Sequence, residues 1–133
     1  MRTTDYFTLY ALEYLMKDVL KELGCDTKNF KRELVEDDFV YEFEFNKELY
    51  RAEIGINYEG FPVISILYGK DFAKYGFIEY RTLANPLVAV TKGSPEDLEK
   101  IIVKIYEKIN NDLDNLFYFK YDIDDENYKI IKK

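Results

Sequence analysis

The sequence predicts an α+β fold: a two-layer sandwich with two helices packed on one face of a mainly antiparallel sheet of about six to eight strands. Three observations lead there. Residues 5–23 and 95–115 carry apolar side chains at helical spacing. Between them, apolar side chains fall on every second position in segment after segment, with no helical stretch to carry a parallel crossover. Residues 39–45 and 50–58 put their apolar sets on one side, which gives the helices a face to cover. The 133 residues suit a single domain, and no linker, internal repeat or low-complexity tract divides them.

The first helix, 5–23, starts after Thr3 or Thr4 as N-cap, with Asp5 placed where the helix dipole favours a negative charge, and it stops at Gly24. Leu9, Leu12, Leu15, Met16, Val19, Leu20 and Leu23 form its apolar stripe. Tyr6, Phe7, Tyr10, Ala11 and Tyr14 widen the stripe beyond one packing face, so this helix is expected to touch a second body, elsewhere in the chain or in another subunit.

Residues 30–36 read as a short strand. Next, Phe39, Tyr41, Phe43 and Phe45 share a face, and after a turn Tyr50, Ala52, Ile54, Ile56 and Tyr58 do the same. Both sets can lie on one side of a hairpin only if an odd residue of the first strand faces an even residue of the second. A two-residue loop at Asn46–Lys47 needs positive φ at Lys47, where Gly is preferred. The expectation is therefore a four-residue loop, Asn46 to Leu49, which sets Phe45 opposite Tyr50, Phe43 opposite Ala52 and Tyr41 opposite Ile54. On the other face it sets Glu44 against Arg51 and Glu42 against Glu53, a like-charge pair.

Tyr58–Pro62 reads as a turn. Residues 63–68 are apolar on both faces apart from Ser65, as in a central strand. Residues 69–76 read as a connection, and 77–83 and 87–91 as two further strands. Ser94 as N-cap, Pro95 in the first helical position and the acidic pair Glu96–Asp97 start the second helix. The tail reads as a last hairpin, 117–123 returning through 128–131.

The composition excludes much chemistry. There is no His, so Ser-His-Asp and Cys-His sites cannot form within one chain, and zinc sites built from Cys and His are excluded with them. The one cysteine, Cys25, permits no internal disulfide, sits after a helix end beside Asp26, and fits a reducing compartment. No phosphate-binding glycine loop occurs. The net charge of −7, from 26 acidic and 19 basic residues, opposes direct nucleic-acid binding and docking on anionic membranes. The 13 tyrosines are interleaved with Glu rather than with a basic groove, so they fit half-buried packing better than base stacking. Asp5, Glu13 and Lys17 interrupt the apolar N-terminal segment, against a signal peptide or a membrane span. The expected location is the cytoplasm. Absence of Gln with abundant Lys and Glu leans toward a thermophilic source, and eight Asn residues count against it.

No catalytic, cofactor-binding or metal-ligating residue is nominated. Asp122, Asp124, Asp125 and Glu126 lack the Gly and Glu positions of a calcium loop and suit a hairpin tip. Three functions remain, in order. The first is a non-catalytic protein-interaction module acting as a homodimer, with Tyr6, Phe7, Tyr10 and Tyr14 as its interface. The second is an acidic inhibitor or nucleic-acid-mimicking decoy that docks on a basic partner through Glu42, Glu44, Glu53, Asp37 and Asp38. The third is a carboxylate enzyme that uses a divalent cation.

Overall fold

Chain order and sheet order coincide. A computed structural model describes residues 3–26, 31–80, 86–112 and 127–132, the side chains of 3–7, 110–112 and 132 excepted. The elements are α1 (Thr3–Glu22), β1 (Glu33–Val35), β2 (Asp38–Phe45), β3 (Glu48–Ile56), β4 (Pro62–Tyr68), β5 (Lys74–Glu79), β6 (Leu87–Thr91), α2 (Glu96–Asp112) and β7 (Tyr128–Lys132). The seven strands form one antiparallel sheet in the order β1 to β7. The two-residue turns Glu36–Asp37 and Asn46–Lys47 make β1, β2 and β3 antiparallel neighbours, because that is all such a turn can reach, whereas β7 joins β6 only after α2.

Both helices lie on one face, as the periodicity requires. Phe39, Tyr41, Phe43, Tyr50, Ala52, Ile54, Ile64, Ile66 and Ile78 form the buried floor. Leu9, Leu12, Met16 and Leu20 of α1 and Leu98, Ile101, Ile102 and Ile105 of α2 cover it. Each such aliphatic side chain contributes about 1.5–3 kcal/mol on burial. The helices are also tied to each other by Lys108 Nζ, 3.2 Å from Asp18 Oδ2. Strand β4 is central, as its two apolar faces imply. Among the described residues no helix is long and apolar enough to cross a membrane.

The β2–β3 hairpin corrects the expected register. The turn is the two-residue Asn46–Lys47, with φ of 51° and 67°. Phe45 therefore faces Glu48, Phe43 faces Tyr50, Tyr41 faces Ala52 and Phe39 faces Ile54. The register moves by two residues, so every side chain keeps its face. Left-handed backbone at a non-glycine residue costs about 1–2 kcal/mol. Against that, the shorter loop adds the Phe45–Glu48 and Glu44–Leu49 pairs, each contributing about 0.2–1 kcal/mol. It also places Glu42 opposite Arg51 and Glu53 opposite Val40, so the expected Glu42–Glu53 pair does not form. Asn46 Nδ2 donates to Asp97 Oδ2 at 2.9 Å, tying the turn to the first turn of α2.

Other boundaries move. Helix α1 runs Thr3–Glu22, so Thr3 and Thr4, expected as its cap, lie inside it. Strand β5 begins at Lys74, inside the expected connection, because Gly76 sits within the strand. A Cβ there would lie 2.7 Å from Ile102 Cγ1 and 2.8 Å from Val90 Cγ1, so a residue without a side chain lets α2 come down on the sheet. Helix α2 begins at Glu96, and the Ser94 hydroxyl turns back to donate to the Thr91 carbonyl at 2.7 Å. Strand β7 pairs with β6. Residues 81–83 of the strand expected at 77–83, the 117–123 arm of the last hairpin and the acidic run at 122–126 lie outside the described residues.

Candidate interaction surface

Tyr10 lies three residues from Glu13 and four from Tyr14, and Lys17 lies four from Glu13 and three from Tyr14, so the four share one side of α1. Glu13 is only 4% exposed, the one charged group in the buried set of the described residues. It is held from two sides. Arg32, just ahead of β1, donates from Nη2 to Glu13 Oε2, and Lys17 Nζ lies 3.0 Å from Oε1. The Tyr41 hydroxyl of β2 completes the group beside Glu13 and Arg32. The Arg32 guanidinium caps the touching Tyr10–Phe39 ring pair, 4.7 Å from the Tyr10 centroid and 4.6 Å from that of Phe39. A planar, weakly hydrated cation suits such an aromatic surface.

The electrostatics follow from burial and charge. Burial alone would raise the Glu13 carboxyl, but Arg32, Tyr41 and Lys17 together more than offset it and hold it below the ordinary carboxylate value. Glu13 is therefore ionised at neutral pH. Burial, and then the Glu13 carboxylate, push the Tyr41 hydroxyl up, so it stays neutral. The group does no visible chemistry on its own. It fixes the start of β1 against α1, the kind of positional specificity a paired buried charge can supply.

Around this fixed rim, apolar side chains face outward. Tyr14 is 74% exposed and Tyr10 is 46% exposed. Leu34 of β1 is 57% exposed, and Val35 is exposed beside it. Leu34 pairs with Phe39, whose ring packs 5.2 Å from that of Tyr10. Leu34 therefore lies on the helix side of the sheet, next to the tyrosine stripe. Tyr6 and Phe7 belong to α1 by position, and their side chains are outside the description. Of the interface set read from the sequence, the structure thus places Tyr10 and Tyr14 on one outward face.

The acidic set lies on the other side of the sheet and in the β1–β2 turn. Asp37 is exposed in that turn, at φ 72°. Asp38 opens β2 with its carboxylate over Gly55, and Asp38 and Glu53 line one shallow depression with Asn57 and Ser65. Burial, then the nearby charges of Glu53, Asp37 and Glu36, raise the Asp38 carboxyl above its usual value. Glu42 faces Arg51, whose Nε lies 2.9 Å from Glu53 Oε1. Glu44 sits further along, bridged through its backbone to Asp26. Asp38 and Glu53 converge, whereas Glu42 and Glu44 lead away toward the hairpin turn. Among the described residues no group of three or more His, Cys, Asp and Glu is placed to hold a metal ion.

Glu13 and Arg32 carry the geometry of the rim, and neither was nominated from the sequence. The signal for Glu13 was present: it falls four residues after Leu9 and three before Met16, inside the apolar stripe, where a carboxylate needs a partner. Nothing local marks Arg32 as that partner. No protein-family model matches the chain, and no curated protein or solved structure matches it.

Proposed function

We propose that the chain is a non-catalytic interaction module that associates with a second copy of itself through the rim formed by α1 and β1. The observation that carries this is the exposure of Tyr14, Tyr10 and Leu34 on a rim tied together by the ion pair of buried Glu13 with partly exposed Arg32. A soluble monomer rarely leaves adjoining large apolar groups exposed without using them. Aromatic side chains are also the residues that interfaces enrich, since they bring area at little entropic cost. Preordering by Glu13 and Arg32 lowers the entropy lost on association.

Light scattering coupled to size exclusion tests it. A particle of twice 15.9 kDa is expected, shifting toward monomer in Tyr14→Glu with an unchanged far-UV spectrum. A mass of 15.9 kDa for the unsubstituted chain at every concentration overturns the proposal.

A further inference from the structure

Self-association through this rim, taken from the proposal above, leaves open how two copies join. The backbone of β1 narrows it. The Glu36–Asp37 turn is closed by Val35 and Asp38, so the bonds from β1 to β2 fall on Val35 and Glu33. The Asp26–Glu44 bridge fixes the same parity on β2, whose even-numbered residues direct their bonds toward the β1 side. Leu34 therefore turns its N–H and C=O outward, and among the described strands none pairs with that side.

We infer that two copies join β1 to β1 in antiparallel fashion about a two-fold axis at Leu34, continuing both sheets into one. Leu34 faces Leu34 of the second copy as a hydrogen-bonded pair, the backbone arrangement its outward groups require. The charges around it match. Pairing centred on Leu34 brings the basic end of each copy, Lys31 and Arg32, toward the acidic Glu36–Asp37 turn of the other. Lys31 and Arg32 also line a groove of about 350 Å³ at the end of β1, with Glu33 and Glu42 on its other walls. The acidic turn of the second copy reaches the basic end of that groove. Because Leu34 lies on the helix side, the same event covers Tyr10 and Tyr14. At the other end of the described sheet, β7 pairs irregularly with β6, with a register shift between Val88 and Ala89. Joining like edges about a two-fold axis is an isologous contact, which closes at two copies.

Sedimentation equilibrium on the full chain tests the pairing with two kinds of variant. Leu34→Pro removes the outward N–H, which pairs with no strand among the described residues, together with the Leu34 side chain at the centre of the proposed pairing, and proline is tolerated on that side of an edge strand. The dimer dissociation constant is expected to rise by about tenfold or more with the fold retained. Lys31→Glu and Asp37→Lys should each weaken the dimer, and the double swap should restore it. Asp37→Lys is compatible with the backbone, since Lys47 already occupies a left-handed turn position. A Leu34→Pro dimer of unchanged affinity, or a swap that restores nothing, overturns the pairing while self-association stands. An unsubstituted chain that stays monomeric overturns both. Should Leu34→Pro not fold, the charge swap alone decides.

Discussion

Glu13 on α1 and Arg32 ahead of β1 are joined by an ion pair across 19 residues of chain, with the cation capping the ring pair of Tyr10 and Phe39. Removing the carboxylate would leave the guanidinium over the two rings without its counter-charge. Glu13→Gln should therefore cost about 2 kcal/mol of folding stability at pH 7, the range of a hydrogen bond to a charged group. The pH dependence follows from the depressed Glu13 pKa. A carboxyl with a lower pKa in the folded than in the unfolded state adds stability above the unfolded value, about 4.3, and loses it as pH falls through the folded value. Urea midpoints for the two proteins should differ at pH 7 and converge in acid. Equal midpoints at pH 7 would show that the pair contributes nothing net.

Asp38 should show the opposite sign. Its carboxyl is raised by burial and by Glu53, Asp37 and Glu36. A raised folded pKa means that ionisation opposes folding, so the cost is present at neutral pH and disappears as pH falls below the folded value. Asp38→Asn should stabilise the fold at pH 7 by a few tenths to about 1 kcal/mol, with the gain vanishing in acid. Thermal melts at neutral and acid pH check this. A variant less stable than the parent at pH 7 would show that the Asp38 carboxylate makes a favourable contact as an anion.

The contrast between these two carboxylates shows where the sequence was legible. Parity was: each of Phe39, Tyr41, Phe43, Tyr50, Ala52 and Ile54 faces the core as alternation requires, because one wrong face would bury a row of Glu side chains. Register was not, because it turned on whether Lys47 would accept left-handed backbone, a local cost that only the cross-strand pairs outweigh. The start of β5 was misplaced because Gly76 reads locally as a breaker, while its use is set by Ile102, which lies 26 residues further on. The tyrosines of the rim stood out as surplus on α1. Arg32 did not, since its partners lie on α1 and β2 and no spacing rule links them.

The Asn46–Lys47 turn gives a direct test of that balance. Glycine adopts φ of 67° without penalty, and Asn-Gly is the preferred pair for this turn. Lys47→Gly should therefore stabilise by about 0.5–1 kcal/mol, the left-handed penalty less the larger chain entropy of glycine when unfolded. Asn46→Ala should destabilise by about 1 kcal/mol, because it loses the bond to Asp97 and puts a less tolerant residue in the same region. Chemical denaturation with matched m-values measures both. A destabilised Lys47→Gly would mean that the Lys47 side chain itself holds the turn.

Two glycines in the sheet look alike in sequence and should respond differently to alanine. At Gly76 an added methyl meets Ile102 Cγ1 at 2.7 Å and Val90 Cγ1 at 2.8 Å, both branched chains locked between α2 and the sheet. Relief requires moving the helix or forcing rotamers, so Gly76→Ala should cost about 1–3 kcal/mol. At Gly55 the methyl would meet Asp38 Oδ1 at 2.0 Å, a closer approach on paper. That atom is the end of a short, partly exposed side chain whose carboxylate is already disfavoured where it sits. It can swing toward water, and Gly55→Ala should stay within about 0.5 kcal/mol of the parent. The distances alone rank the two sites one way, and the mobility of the obstructing atom ranks them the other way. Paired urea titrations decide between them: a Gly55→Ala penalty as large as that of Gly76→Ala would show that Asp38 is held over the sheet as firmly as the core holds Ile102.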